Sequence, residues 1–183
     1  MNDVLKTIEK RRSTRGFSSE QISENDLKVI MKAGLYAPTA MNAQNWHFTV
    51  VQKPELIEEI NNKVKTILPP ELNQRMLDRF NGDPNYSVAY YAPTLVFTFA
   101  EENNSYAPLN CSFASQNIVL ASESLGYNSC YIGMLAMLFQ DESYYEKLGV
   151  PKGYKIATVI ALGKGNKEMP VPEKDLSKIN YII

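Results

Sequence analysis

The chain has 183 residues and a formal net charge of -1, with 19 Lys plus Arg against 20 Asp plus Glu. That length is typical of one domain. A hydrophobic fraction of 44% with 21% charged residues is close to the globular average, which excludes disordered and collagen-like classes. The balanced charge creates no overall field for nucleic acid or an anionic membrane, so any anion must be bound by a local cluster.

Few residues are suited to metal binding or hydrolysis. Cys111 and Cys130 form no C-x-x-C pair, and with a single histidine, His47, they cannot build the usual zinc site. We therefore expect no metal, and we interpret His47 as a packed strand residue rather than part of a hydrolytic triad. The apolar runs are too short to cross a bilayer, and residues 1–12 are typical of a charged amphipathic helix rather than a signal peptide. We expect a cytoplasmic protein.

Predicted helices and strands alternate along the chain. Helical periodicity covers residues 3–12, the segment from Ser23 to Pro38, residues 54–64 and residues 107–125, whereas runs of strand character cover 46–52, 94–100 and 154–163. Residues 129–133 are predicted as a short strand or extended turn, and 141–149 as a small helix. Residues 68–93 are irregular apart from a short helix at 75–80, and we interpret them as a mobile cover. No repeat or linker interrupts this pattern, which favours one domain, residues 1–183, with helices around a small central sheet.

Residues 11–17, RRSTRGF, indicate a compact anion-binding segment. Guanidinium groups neutralise a phosphate, and the hydroxyls of Ser13 and Thr14 can hydrogen-bond to it directly. The alternative is that the basic residues merely complement the negative end of the first helix. Taken alone, the segment does not decide between the two.

Two further segments are suited to a planar ring. In residues 37–46, APTAMNAQNW, Asn42 and Gln44 each offer a donor and an acceptor, which matches the alternating edge of a flavin or pyrimidine. The alternative is a plain helix-to-strand turn whose amides bond their own backbone. In residues 126–133, GYNSCYIG, small residues and Gly133 allow the backbone to approach a ring closely, and the alternative is a buried strand end.

Together, the three segments resemble the nitroreductase family of FMN-dependent oxidoreductases, and the resemblance extends over nearly the whole chain. The family pattern R-R-S-[VT]-[RK]-x-[FY] corresponds to residues 11–17, A-P-S-x-x-N-x-Q-P-W to residues 37–46, and L-G-x-x-S-C-x-I-G to residues 125–133. Thr39 stands where the family has Ser and keeps the hydroxyl. Asn45 stands where the family has Pro and is expected to make the loop less rigid.

The resemblance implies an α+β fold, an α-β-α sandwich with a small central mixed sheet, assembled as an intertwined homodimer with two FMN molecules at its interface. Residues 166–183 would form a C-terminal arm on the partner subunit. The implied enzyme passes hydride from NAD(P)H through flavin N5 to a nitroaromatic, quinone or similar acceptor by a ping-pong mechanism. No catalytic side chain, nucleic acid or membrane is implied.

The resemblance also implies a set of cofactor contacts. Arg11 would neutralise the FMN phosphate, Arg12 and Ser13 would contact phosphate or ribityl, and Arg15 would lie near the N1/O2 edge, where its charge stabilises the reduced flavin. The remaining contacts would come from Pro38, Thr39, Ala40 and Asn42 of the partner chain, Gln44 near the pyrimidine edge, the backbone of Tyr131, Ile132 and Gly133, and Lys174 at the phosphate, with Lys164 as the runner-up.

Three other functions stay open at this point. A flavin-using specialist of the same fold, such as a dehalogenase-like or flavin-destruction enzyme, typically carries extra lid sequence that this chain does not show. A flavin-binding carrier or sensor without turnover is distinguished by NADPH oxidation with a quinone. A purely structural domain is distinguished by flavin occupancy when Arg11 and Arg15 are replaced.

Overall fold

The computed structural model describes all residues, 1–183, and contains six α-helices and four β-strands. The helices are α1 Asp3–Lys10, α2 Glu24–Leu35, α3 Pro54–Ile67, α4 Pro70–Arg79, α5 Ala107–Ser124 and α6 Ser143–Lys147. The strands are β1 Trp46–Val51, β2 Thr94–Glu101, β3 Asn128–Tyr131 and β4 Tyr154–Gly163. Short 3-10 helices cover Ala40–Asn42, Gly133–Gln140 and Leu176–Lys178.

The four strands form one sheet in the order β1-β2-β4-β3, and every neighbouring pair is antiparallel. The sandwich fold is confirmed, but the mixed strand direction expected for its sheet is not found among these strands. The reason is topological: α5 joins β2 to β3, which run in the same direction, but β4 lies between them and separates the parallel pair. The only parallel pairing is an isolated bridge between Ser13 and Ser129 at the β3 edge.

The central strand β2 is buried on both faces, as its continuous apolar sequence predicts. Leu95, Phe97 and Phe99 point into the larger core, whereas Val96 points to the opposite face and packs with Ile118 of α5. This alternation places helices on both sides of a thin sheet.

Helix ends follow the signals in the sequence. Asn2 caps α1 by accepting from the Leu5 N–H, and Ser23 caps α2 by accepting from the Asp26 N–H. Beyond α5, Gly126 adopts φ 82°, which is the left-handed conformation that ends a helix most easily in glycine. The predicted ends at these positions are confirmed to within one or two residues.

The segment 68–93 is more ordered than the sequence suggests. Helix α4 is longer than the predicted short helix at 75–80, and it buries Met76. Tyr86 is 1% exposed and belongs to the larger core together with Val88. Most of the segment expected to be a mobile cover therefore packs onto the body of the protein.

The C-terminal segment 166–183 lies on the surface, where only Met169 is partly buried. Its last residues, Tyr181, Ile182 and Ile183, are apolar and exposed. No helix of the structure is both long and apolar enough to cross a membrane. No group of three or more His, Cys, Asp or Glu side chains is arranged to hold a metal ion.

Candidate functional site

The basic segment 11–17 is not a continuation of α1 but an extended segment with isolated bridges at Ser13 and Phe17. The helix ends at Lys10, and the Thr14 N–H then donates to Ser129 O at 2.9 Å, which ties the segment to β3. At its other end, the Phe17 N–H donates to Tyr90 O at 3.1 Å. Since alternate residues of an extended strand point to opposite sides, Arg11 and Arg15 share one side with Ser13.

Arg11 and Arg15 lie near the end of β3, and a third arginine joins them. Burial raises the pKa of the Cys130 thiol, and the positive charges of Arg15, Arg79 and Arg11 oppose that rise. Arg79 ends α4, with its guanidinium 6.0 Å from the centroid of the Tyr90 ring. We call Arg11, Arg15 and Arg79 the arginine cluster.

No carboxylate neutralises the arginine cluster. Every ion pair in the structure uses a lysine, and none involves an arginine. The only hydrogen bond that the Arg15 guanidinium donates is a long one, 3.5 Å from Nη1 to Ser13 O. Three guanidinium groups without counter-charges form a site that attracts anions.

Arg12 lies on the opposite side of the segment from Arg11 and Arg15. It lines a cavity of about 580 Å³ together with Thr14 and Glu123. Its Nη1 donates to Arg11 O, but its buried Nε and Nη2 have no acceptor. Glu123 is 5% exposed, and its Oε1 lies 3.5 Å from the Lys10 Nζ. The sequence predicts Arg12 beside Arg11 in one contact set, whereas the structure separates the two.

The residues at the end of β3 form a surface that is buried at Ile132 and open at Gly133. Ile132 is 3% exposed, and its N–H donates to Val159 O at 2.9 Å, so that N–H is already used within the protein. Gly133 is exposed, and a Cβ built on it would meet no atom within 4 Å. Desolvation raises the pKa of Tyr131 and the charge of Arg11 opposes the rise, although 41% of Tyr131 is exposed. The surface beside Gly133 is therefore open.

The amide-rich loop 38–45 has an unusual backbone. Met41 and Asn42 have φ 54°, and Gln44 has φ 47°. Left-handed conformations cost a non-glycine residue roughly 1–2 kcal/mol. The Gln44 Nε2 donates to Asn42 Oδ1 at 3.2 Å, and both side chains are exposed. The two amides predicted to read a ring edge are thus held together on the surface, with Pro38 exposed and Thr39 and Ala40 partly buried beside them.

This loop and the arginine cluster lie at opposite corners of the sheet. The loop enters β1 at Trp46, which pairs with Ala100, whereas Ser129 on β3 lies level with Thr94 through Leu162. Three strand spacings across and six residues along correspond to roughly 24 Å. Within one protomer, the loop and the arginine cluster therefore lie beside opposite edge strands of the sheet, β1 and β3.

The two C-terminal lysines differ in their surroundings. Lys164 forms an ion pair with Glu20, which raises the pKa of the lysine and neutralises its charge. Lys174 lies in the exposed tail and has no carboxylate partner. Of the two candidates for a phosphate contact, only Lys174 has its charge free.

Sequence reasoning missed Arg79, and it had no motif to find it with. The available signal was the apolar spacing of Met76, Leu77 and Phe80 behind Pro70, which predicts a helix whose last turn carries Arg79. His47, by contrast, is the packed strand residue that we expected. It is partly buried in β1, with its ring centroid 6.2 Å from that of Phe99 and 6.3 Å from that of Tyr154.

Comparison with known proteins gives consistent matches over the whole chain. A family model described as the nitroreductase family matches residues 8–164. A crystal structure of a nitroreductase with bound FMN from Desulfitobacterium hafniense is 29% identical with a TM-score of 0.92, and one from Bacteroides fragilis is 33% identical with a TM-score of 0.87; each comparison covers 100% of both chains. An oxygen-insensitive NADPH nitroreductase of Helicobacter acinonychis is 29% identical over 175 residues, which is 83% of this chain and 80% of that protein.

Proposed function

The chain belongs to the nitroreductase family, and we propose that it uses FMN to pass hydride from NAD(P)H to a nitroaromatic, quinone or similar small acceptor. The observation that carries the proposal is the arginine cluster, which has no carboxylate partner and acts on Cys130 near the end of β3, three residues before the exposed Gly133. An anionic, ring-bearing ligand is the class that this arrangement suits.

The residues of this site fit FMN. Its phosphate requires cationic donors, and Arg11 and the hydroxyl of Ser13 would supply them, with Lys174 from the tail as a further candidate. Arg15 would lie at the N1/O2 edge, where a fixed guanidinium favours the anionic reduced form. Tyr131, Ile132 and Gly133 would form the wall against the ring, with Gly133 as its exposed member.

Arg12 remains a proposed cofactor contact, but its guanidinium is not proposed to touch the phosphate. Its side chain faces Glu123 rather than the arginine cluster, so a contact with the phosphate or ribityl chain would have to come from its backbone. We assign its guanidinium a supporting role, because it lies beneath the segment that carries Arg11 and Ser13.

When bound, FMN supplies the group that accepts hydride and gives it up again, so the protein needs no acid or base side chain for that step. The chain's own contribution is to bind the phosphate, to fix the ring against β3 and to stabilise negative charge with Arg15. The donor and the acceptor would use the same open space beside Gly133 in turn. Sharing of one space in this way would give a ping-pong order.

The positions of the two halves of the site, beside opposite edge strands, support a homodimer. Trp46, where the loop enters β1, lies roughly 24 Å from Ser129. We infer that the loop residues reach a flavin held by the second copy; they are Pro38, Thr39, Ala40, Asn42 and Gln44. Exposed apolar side chains on α1, α2 and α5 give that copy a surface to cover; they are Val4, Leu5, Ile8, Val29, Leu109 and Phe113. The exposed segment 166–183 would serve as an arm on the partner.

Three measurements on the purified protein test the proposal. A flavin absorbance spectrum with one FMN per protomer, together with a dimer in sedimentation, is expected. NADPH oxidation with menadione tests turnover, and tight FMN without turnover would indicate a carrier or sensor instead. A colourless protein that gains no thermal stability from added FMN would refute the proposal.

A further inference from the structure

Two buried amides hold loop 38–45 at both ends. Asn110, in the first turn of α5, donates from Nδ2 to Asn45 Oδ1 at 2.9 Å and accepts on Oδ1 from the Ala40 N–H at 3.4 Å. Asn110 is 2% exposed and Asn45 is 5% exposed. One side chain on α5 therefore joins the beginning and the end of the loop to the core, across 65 residues of sequence.

The loop has one other hydrogen bond to the body of the protein, in which the Glu101 N–H donates to Asn45 O at 3.3 Å. The remaining hydrogen bonds run within it, such as the Asn42 N–H to Thr39 O at 3.0 Å and the Gln44 N–H to Thr39 Oγ1 at 3.2 Å. Residues 41–44 are exposed, so packing does not fix them. Left-handed conformations of non-glycine residues persist only where their surroundings determine them. Here the side chain of Asn110 is the contact that reaches both ends of the loop, and the Glu101 N–H adds a bond at Asn45 O.

Asn45 forms its hydrogen bond with Asn110 although other polar groups of Asn45 have no partner. Its buried Nδ2 has no acceptor, and its backbone N–H donates to none. A buried amide without its full set of partners is unfavourable, and the proline usual at this position would lack that disadvantage. Asparagine compensates by its hydrogen bond to Asn110. This bond restrains the loop through a side-chain contact, whereas proline would restrain it through its ring.

We propose that Asn45 and Asn110 are positioning residues of the flavin site, which hold loop 38–45 in the conformation that presents Asn42 and Gln44 to the partner copy. The inference rests on the proposed function, because the loop is taken to reach a flavin. Neither asparagine touches the cofactor; both act through the loop.

The test compares three variants by FMN titration of the FMN-free protein and by hydrogen exchange of the Ala43 and Gln44 amides. Asn110→Ala removes both hydrogen bonds, and we expect the Kd for FMN to rise about tenfold, with faster exchange in the loop. Asn110→Asp is the conservative variant. In this buried position without a cation the carboxyl group is held neutral, so one oxygen still accepts from Ala40, its O–H donates to Asn45 Oδ1, and affinity and protection should return.

Asn117→Ala is the matched control. Asn117 lies on the same helix and donates to Ala33 O at 3.1 Å, but it has no contact with the loop. It should lower thermal stability without changing the Kd for FMN or the exchange of the loop amides. Tight FMN binding by the wild-type protein with an unchanged Kd in Asn110→Ala would overturn the inference alone, whereas a wild-type protein that binds no FMN would overturn the proposed function.

Discussion

The Arg15→Ala variant tests whether Arg15 binds the ligand or stabilises the fold. In the FMN-free protein, Arg15 has no ion pair and only the 3.5 Å contact with Ser13 O, so little is lost on its removal. Relief of repulsion from Arg11 and Arg79 even favours the variant slightly. The melting temperature of the FMN-free protein should therefore be unchanged or marginally higher.

The effect appears once FMN is added. A hydrogen bond to a charged group contributes about 1.5–3 kcal/mol, so the Kd for FMN should rise at least tenfold. At an FMN concentration one hundred times the wild-type Kd, the ligand stabilises the wild-type protein by about 2.7 kcal/mol, or about 5–11 °C for a chain of this size. A tenfold weaker Kd reduces that gain to about 1.4 kcal/mol, roughly half the shift.

Thermal unfolding with and without FMN measures both quantities in one experiment. Arg75→Ala is the matched control, because Arg75 is an exposed arginine one turn before Arg79 on α4. It should leave the FMN-induced shift at the wild-type value. If Arg15→Ala lowered the melting temperature equally with and without FMN, Arg15 would be a structural residue and the reasoning would be refuted.

Three further predictions concern the body of the protein. In Gly163→Ala, the new Cβ would lie 2.7 Å from the rigid Pro93 ring. We expect the free energy of unfolding, measured by urea denaturation, to fall by about 1–3 kcal/mol. No loss would mean that β4 adapts freely. The hydrogen bond from Lys63 lowers the pKa of Asp141 to about 2, so the stability that this carboxylate adds is present above pH 4 and lost as the pH falls through 2. Asp141→Asn should lower the melting temperature at pH 7 but not at pH 2, and a difference independent of pH would count against the assignment. Burial raises the pKa of Cys111 to about 12, so thiol reagents at pH 8 should label it only after unfolding, and rapid labelling of the native protein would contradict its burial.

Element types were predictable because local patterns determine them. The apolar run of β2 and the glycine stop after α5 need only neighbouring residues to be recognised. The side to which Arg12 points was not predictable, because it depends on whether α1 continues beyond Lys10. One extra turn of helix would have moved the arginine to another face.

The contacts that organise the site join residues far apart in the chain, so they could not be predicted from local sequence patterns. Asn45 and Asn110 are 65 residues apart, and Arg79 comes to the site only because α4 packs against the core. The sequence interpretation of Asn45 as a source of flexibility also needs revision. In the structure, its side chain anchors the loop to α5.

The central claim is that each flavin is held by the arginine cluster of one copy and by loop 38–45 of the other. A mixed dimer tests it directly, with Arg11→Ala/Arg15→Ala in one copy and Asn42→Ala/Gln44→Ala in its partner. The account predicts that one of the two sites is then fully wild-type, so that the mixed dimer binds one FMN with the wild-type Kd, while both parent homodimers bind weakly. If both sites of the mixed dimer were weak, cluster and loop would serve the same copy, and the account would be contradicted.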